Sequence, residues 1–169
     1  RAAGLLVAAS RGSAIEASTP YHVWKEIFAD LLGLGDASAE EEMLAKLEPL
    51  VSGTEFHDLL PLLGPVLPME IGATAGMPEL STQGTADLTR DLMLHCLEAL
   101  HPSVLIFDDG QWIDSASHHL ISLAAKNLPW LLAVVALRSD TAPSPAEPQL
   151  VDLAGVDGIL RLDALSDSE

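Results

Sequence analysis

An uninterrupted apolar run that ends in two adjacent carboxylates constrains this chain more than any other feature. Residues 104–107 read Val-Leu-Ile-Phe, a pattern typical of a strand buried on both faces of a parallel sheet. Asp108 and Asp109 follow directly. Because an unpaired charge is costly to bury, we expect a counter-charge at the end of this strand, and a bound metal ion would supply one. The alternative is a strand that ends in an ordinary Asp-Gly turn.

A second apolar run ends in an arginine. Residues 130–137 predict another buried strand, and Arg138 follows it. In open α/β sheets, ligands bind beyond the carboxyl ends of the strands, so Arg138 would lie level with Asp108 and could contact a bound phosphate. The same spacing is equally compatible with a surface arginine that begins a loop.

Strand-like and helix-like segments alternate along the chain. The predicted strands are residues 5–9, 104–107, 130–137 and 158–162. The predicted helices are 20–32 after the N-cap Thr19 and before Gly33, 38–48 before Pro49, 56–60 before Pro61, 85–100, and 115–127 after the N-cap Asp114. Residues 11–19 and 141–148 are predicted loops, and residues 62–80 are a connection rich in Pro and Gly. This alternation predicts an α/β fold, a parallel sheet with helices on both faces.

Composition excludes two classes of partner. The net charge of −17, from 25 acidic and 8 basic residues, would repel phosphate backbones, so we expect no direct nucleic-acid binding by this segment. The longest apolar run, residues 130–137, is too short to cross a bilayer, so we expect no membrane association. A single cysteine, Cys96, cannot form an internal disulfide, which indicates a cytoplasmic environment.

Three stretches of the sequence resemble one family of ATPases. Residues 105–117, "LIFDDGQWIDSAS", resemble the Walker B segment of STAND-class, AAA-like P-loop modules, in which the consensus is close to "LVLEDAHWLDSAS". Such modules are attached to soluble adenylyl cyclases and large LuxR-type regulators. Gly110 and Gln111 stand where the family commonly has Ala and His. The stretches "EASTPYHVWKEIFADLL" and "LLPLLGPVLPMEI" are similar to two further segments of the family.

The resemblance implies a fold and a set of roles. The fold would be the three-layer parallel sheet of the P-loop NTPase (ASCE) type, strand order 5-1-4-3-2, incomplete here and carrying a helical, Pro-rich insert. Asp108 would hold Mg²⁺ through water, Asp109 would orient the attacking water, and Arg138 would contact the γ-phosphate of ATP. The parent protein would bind ATP and hydrolyse it slowly, as a switch acting on an attached cyclase or DNA-binding output domain. The rival hypothesis is a degenerate, non-hydrolysing interaction scaffold.

The phosphate-binding loop expected of such a protein is not in this sequence. No G-x-x-x-x-G-K-[ST] motif occurs, and neither G-x-G-x-x-G nor G-x-S-x-G supports a Rossmann-like or hydrolase alternative. The chain begins at Arg1 and ends in "LRLDALSDSE", which looks like the lead into the family's helical lid. We therefore expect residues 1–169 to be one partial P-loop ATPase domain, with the Walker A strand and loop upstream and the lid downstream.

Overall fold

A parallel sheet of three short strands lies at the centre of the described chain. The computed structural model describes residues 4–35, 39–67 and 81–138, together with residues 158, 160 and 162. The sheet order is β1 (Val7–Arg11), β2 (Val104–Asp108) and β3 (Leu132–Val135), and both pairings are parallel. This confirms the α/β class. The strands predicted at 104–107 and 130–137 pair directly, which brings their carboxyl ends level with each other as expected.

Helices connect the three strands throughout the described ranges. Between β1 and β2 lie α1, α2, a seven-residue 3₁₀ helix and α3, and between β2 and β3 lie a three-residue 3₁₀ helix and α4. Their bounds are α1 His22–Leu32, α2 Glu40–Val51, the first 3₁₀ helix His57–Leu63, α3 Thr82–Leu100, the second 3₁₀ helix Gly110–Trp112, and α4 Ser115–Asn127. Within the described chain, no helix is both long enough and apolar enough to span a membrane.

One face of the sheet packs against the helices and the other is exposed. Leu105 and Phe107 are buried, and Trp24 of α1 packs edge-on against the ring of Phe107 with centroids 5.4 Å apart. Residues of opposite orientation in the strands remain exposed; the large ones are Val7, Ile106, Leu132 and Val134. The described residues therefore form two layers, where the sequence predicted helices on both faces. The expectation that residues 104–107 are buried on both faces is wrong for Ile106, which is 36% exposed.

Strands β1 and β3 have different bounds from those predicted from the sequence. The sequence predicted a strand over residues 5–9, yet β1 runs from Val7 to Arg11, because its pairing with β2 continues until Arg11 lies opposite Asp108. The last hydrogen bond of this pairing is donated by the Gly12 backbone N–H to the Asp108 carbonyl, at 2.9 Å. Strand β3 covers only Leu132–Val135 of the predicted 130–137.

Two helix ends differ from those predicted from the sequence, the start of α1 and the end of α2. Helix α1 begins at His22, after Tyr21 in the left-handed region, and the Thr19 hydroxyl donates to Glu16 Oε2 at 2.6 Å and makes no cap. Helix α2 continues through Pro49 to the fully buried Val51, so the predicted stop is wrong. The burial of this last turn offsets the backbone hydrogen bond that proline removes.

Other predicted bounds differ from the observed ones, agree with them, or fall outside the described residues. The first 3₁₀ helix continues through Pro61, and α3 begins at Thr82, three residues earlier than predicted, because the Ser81 hydroxyl accepts from the Gly84 N–H at 3.1 Å. The predicted end of α1 at Gly33 is confirmed. Expectations for residues 1–3, Ser38, 68–80 and 141–148, and most of the predicted strand at 158–162, lie outside the described residues.

Helix α4 begins at a buried carboxylate cap, as predicted. Asp114 Oδ1 accepts from the Ser117 backbone N–H at 2.9 Å, and Oδ2 accepts from the Ser117 hydroxyl at 2.6 Å. His118 follows, only 3% exposed, and neither ring nitrogen has a hydrogen-bond partner among the described residues. Burial lowers the pKa of His118, an effect that the negative charge of Asp114 opposes.

We expect the buried His118 to make the fold less stable in mild acid. The unfolded chain takes up a proton near the ordinary histidine pKa of 6.5, whereas the folded chain resists it, so stability falls as the pH drops below that value. Urea unfolding at about pH 7.5 and about pH 5.5 should show this loss, and His118→Leu should reduce it. The matched control is His119→Leu, at an exposed neighbour. An unchanged pH dependence in His118→Leu would contradict the prediction.

Candidate functional site

Two carboxylates and two arginines meet where the three strands end. They line a pocket of about 200 Å³ together with two other residues of the segment after β3. The lining residues are Arg11, Asp108, Asp109, Ala136, Leu137 and Arg138. Because all three strands are parallel, their carboxyl ends share this edge of the sheet, which is the usual ligand-binding edge of an open α/β fold.

Asp108 is held by a side chain from β1 and by its own neighbour. Arg11 donates to Asp108 Oδ2 through Nη2 at 2.8 Å and through Nε at 3.1 Å. The backbone N–H of Asp109 donates to Asp108 Oδ1 at 2.9 Å. The Arg11 hydrogen bond, and after it the Asp109 backbone hydrogen bond, lower the pKa of Asp108. Asp108 is therefore a carboxylate at neutral pH with both oxygens engaged.

Asp109 lies between both arginines in a strained backbone conformation. Its Oδ1 accepts from Arg138 Nε at 3.0 Å and from Gln111 Nε2 at 3.2 Å, and its Oδ2 lies 3.8 Å from Arg11 Nε. Its φ of 50° is in the left-handed region, which costs a non-glycine residue about 1 kcal/mol. The side chain is 17% exposed, much less than that of Asp108 at 46%. Contacts and burial thus both restrict Asp109.

Backbone hydrogen bonds after β3 bring Arg138 to the site. The Ala136 N–H donates to the Phe107 carbonyl and the Gly110 N–H donates to the Ala136 carbonyl, each at 2.8 Å. The Arg138 N–H then donates to Gln111 Oε1 at 3.4 Å. The two chain segments are therefore tied together beyond the last residue of β3, and the Arg138 side chain reaches Asp109.

Two glycines permit the close approach of the segments around the carboxylates. A Cβ at Gly12 would lie 2.5 Å from the carbonyl oxygen of Asp109. A Cβ at Gly110 would lie 2.6 Å from Val135 Cγ1 and 3.2 Å from the Ala136 carbonyl oxygen. Real Cβ atoms do not approach other atoms so closely, so a side chain at either position would force the turn after β2 away from its neighbours.

The structure brings together the three residues that the sequence selected and adds a fourth. Asp108, Asp109 and Arg138 share the predicted edge. Arg11 was assigned to a loop, although it closely follows an apolar run as Arg138 does, and that parallel was the signal that could have identified it. The counter-charge expected at the end of β2 is present as two guanidinium groups, where the sequence suggested a metal ion.

For a metal ion such as Mg²⁺, this edge of the sheet offers carboxylate oxygens from two residues, Asp108 and Asp109. Mg²⁺ commonly binds proteins through one or two carboxylates and completes its shell with water and phosphate oxygens. Among the described residues, no group of three or more His, Cys, Asp or Glu is placed to hold a metal, and the pocket itself is lined by two carboxylates that each have an arginine partner. For phosphate groups, the pocket offers guanidinium N–H groups from its two arginines.

We expect Gly110→Ala, which restores the residue common in the resembling family, to destabilise this chain. The added methyl would meet the stiff side chain of Val135, so the loss should be about 1–3 kcal/mol of unfolding free energy. Denaturant unfolding measures it. Gly35→Ala is the control, since a Cβ there meets no atom within 4 Å. Equal stability of Gly110→Ala and the original chain would contradict the close packing at this turn.

Comparison with known proteins does not identify a family for this chain. A scan against protein-family models, a search of curated proteins and a search of solved structures each find no match to the chain. The function of the chain is therefore inferred from the residues and distances at the carboxyl ends of its strands.

Proposed function

We propose that this chain is part of an ATP-binding, slowly hydrolysing regulatory switch domain of the P-loop NTPase (ASCE) type. The domain would belong to a cytoplasmic, multidomain signalling protein whose output domain is an adenylyl cyclase or a DNA-binding regulator. Residues 1–169 would form one incomplete domain, and the phosphate-binding loop would come from sequence upstream of Arg1.

The observation that carries the proposal is the contact between Arg138 and Asp109 across adjacent parallel strands. Arg138 Nε lies 3.0 Å from Asp109 Oδ1, and Asp108 precedes Asp109 at the end of β2. Phosphoryl transfer to water needs a metal-holding carboxylate, a group that orients the water, and a cation at the γ-phosphate. This edge of the sheet offers a residue for each of these needs.

The strand order supports the same proposal. In the order 5-1-4-3-2, the second, third and fourth strands are consecutive neighbours and the first lies beyond the fourth. The described order β1-β2-β3 matches that run of three. Among the described strands, β3 has one unpaired edge, and the phosphate-loop strand would pair there.

The exposure and contacts of the site residues suggest a separate role in ATP hydrolysis for each. Asp108, the more exposed carboxylate, would hold Mg²⁺ through water, and Asp109, the less exposed one, would orient the attacking water. Arg138 would contact the γ-phosphate. Bound Mg²⁺-ATP would supply the transferable phosphoryl group and the metal's charge.

One observation favours the alternative, a degenerate scaffold that does not hydrolyse ATP. Each carboxylate already has an arginine partner, so the described fold has no need of a metal to neutralise this edge. The exposed apolar face of the sheet, which includes Ile106, is also compatible with a protein-interaction role. Hydrolysis by the parent protein separates the two functions.

In the parent protein, we expect Asp109→Asn to keep ATP binding and remove most hydrolysis. The asparagine keeps the shape of the side chain and loses the negative charge that orients the water. Asp108→Ala should instead weaken Mg²⁺-ATP binding itself. Single-turnover hydrolysis and nucleotide titration measure the two effects separately. Wild-type turnover by Asp109→Asn would rule out the role assigned to Asp109.

For residues 1–169 alone, we expect Mg²⁺-ATP to bind too weakly for a micromolar dissociation constant. P-loop proteins hold phosphates mainly through the N–H groups of a glycine-rich loop, its lysine and the helix behind it, and this sequence contains no such motif. The net charge of −17 adds repulsion. Calorimetry on this chain and on a longer piece that extends upstream tests the expectation. Micromolar binding by residues 1–169 would show that the site is elsewhere.

A further inference from the structure

The side-chain amide of Gln111 contacts two of the residues to which the proposed function assigns a role in hydrolysis. Its Nε2 donates to Asp109 Oδ1 at 3.2 Å, and its Oε1 accepts from the backbone N–H of Arg138 at 3.4 Å. Arg138 Nε donates to the same Asp109 oxygen at 3.0 Å. The three residues therefore form a closed ring of hydrogen bonds that joins the turn after β2 to the segment after β3.

The backbone on both sides of Gln111 is hydrogen-bonded, so its side chain starts from a defined place. The Gly110 N–H donates to the Ala136 carbonyl at 2.8 Å, and the Trp112 N–H donates to the Asp109 carbonyl at 3.0 Å. Gln111 itself is half-buried. A side chain held by its backbone, by burial and by two hydrogen bonds can in turn hold its partners in place.

An amide suits this position because it offers a donor and an acceptor without a charge. Its donor meets the Asp109 carboxylate and its acceptor meets a backbone N–H, so both of its polar ends have a partner. A carboxylate in its place would repel Asp109, and an ammonium group would compete with Arg138 for Asp109. The glutamine thus holds both neighbours and leaves their charges unchanged.

The two oxygens of Asp109 differ in their contacts. Oδ1 accepts from Gln111 and from Arg138, whereas Oδ2 lies 3.8 Å from Arg11 Nε, which is beyond hydrogen-bond distance. Within the described residues, the two donors on Oδ1 orient the carboxylate, and Oδ2 is the oxygen that can accept from a water.

We propose that Gln111 is a positioning residue that keeps Asp109 Oδ2 and the guanidinium of Arg138 in the arrangement that hydrolysis needs. The inference depends on the proposed function, which assigns the attacking water to Asp109 and the γ-phosphate to Arg138. Gln111 acts through these two partners. It should therefore affect the rate of the chemical step and not the binding of nucleotide.

The positioning is tested first on residues 1–169 without nucleotide. The NMR signal of the Arg138 Nε–H reports its contact with Asp109, and Arg138→Lys identifies that signal by removing it. Gln111→Met keeps the length of the side chain and removes both of its hydrogen bonds, so the arginine and the carboxylate can separate. We expect the Nε–H to exchange with water about fivefold faster, the change that the loss of one ordinary hydrogen bond produces.

Gln83→Met is the matched control. Gln83 Nε2 donates to Asp87 Oδ1 at 3.1 Å on α3, so this variant also removes a contact between an amide and a carboxylate, away from the site. The exchange of the Arg138 Nε–H should not change in it.

The consequence for hydrolysis is tested in the parent protein. We expect Gln111→Met to lower the single-turnover rate of ATP hydrolysis about fivefold and to leave the dissociation constant for ATP unchanged. A merely structural role would lower the free energy of unfolding without this difference between rate and affinity. Gln83→Met should retain both the rate and the affinity.

Gln111→Asn guards against a methionine variant that fails to fold. It keeps the amide and shortens its reach by one methylene, so two contacts that are 3.2 Å and 3.4 Å long in the original chain cannot both form. The Arg138 Nε–H should exchange faster in this variant too. If only the asparagine variant folds, exchange equal to that of the original chain would overturn the proposal.

The outcomes separate this inference from the proposed function. Unchanged Nε–H exchange in folded Gln111→Met would overturn the positioning role and leave ATP hydrolysis by the parent protein untouched. Faster exchange with an unchanged rate of hydrolysis in the parent protein would also overturn it. Faster exchange, together with a parent protein that binds no ATP, would support Gln111 as the residue that holds Arg138 on Asp109 and contradict the nucleotide function.

Discussion

The parallel register of three strands is the constraint on which the charged edge depends. Within the described sheet, β2 pairs on both sides, so it fixes where β1 and β3 end. Arg11 lies directly opposite Asp108, and a shift of one residue in β1 would turn its side chain to the other face of the sheet. The left-handed backbone of Asp109 and the close contacts of Gly110 depend on the same register, because both residues lie in the turn after β2, and that turn is hydrogen-bonded to the segment after β3.

Features set by a few neighbouring residues could be predicted from the sequence. Strand β2 begins at the predicted residue, Asp114 caps α4, and Gly33 ends α1. Features set by distant partners could not be predicted. Strand β1 extends to Arg11 because β2 offers backbone partners, and α2 continues past Pro49 because the core accepts Val51. That the described helices cover one face of the sheet could not be predicted either, since an apolar run does not show how many of its faces will be covered.

The candidate site could also be predicted only in part. That a compensating charge lies at the end of β2 could be predicted from the sequence, because a buried strand that ends in charged residues needs one. Which group supplies that charge could not be predicted. Arg11 and Asp108 are 97 residues apart in sequence, and only the β1–β2 register brings them together. The need for a counter-charge at the end of β2 was predicted correctly. That arginines supply it in the described structure was not predicted.

Neutralisation by arginines has a consequence for what a cation could do at this edge. In a structural metal site the ion compensates the ligand charges, so folding and metal binding are one event. Here Asp108 and Asp109 are compensated by Arg11 and Arg138 before any ion arrives, so the described fold is complete without one. The pairing of the three strands therefore does not depend on a bound metal, because the two ion pairs already compensate the charge at their ends.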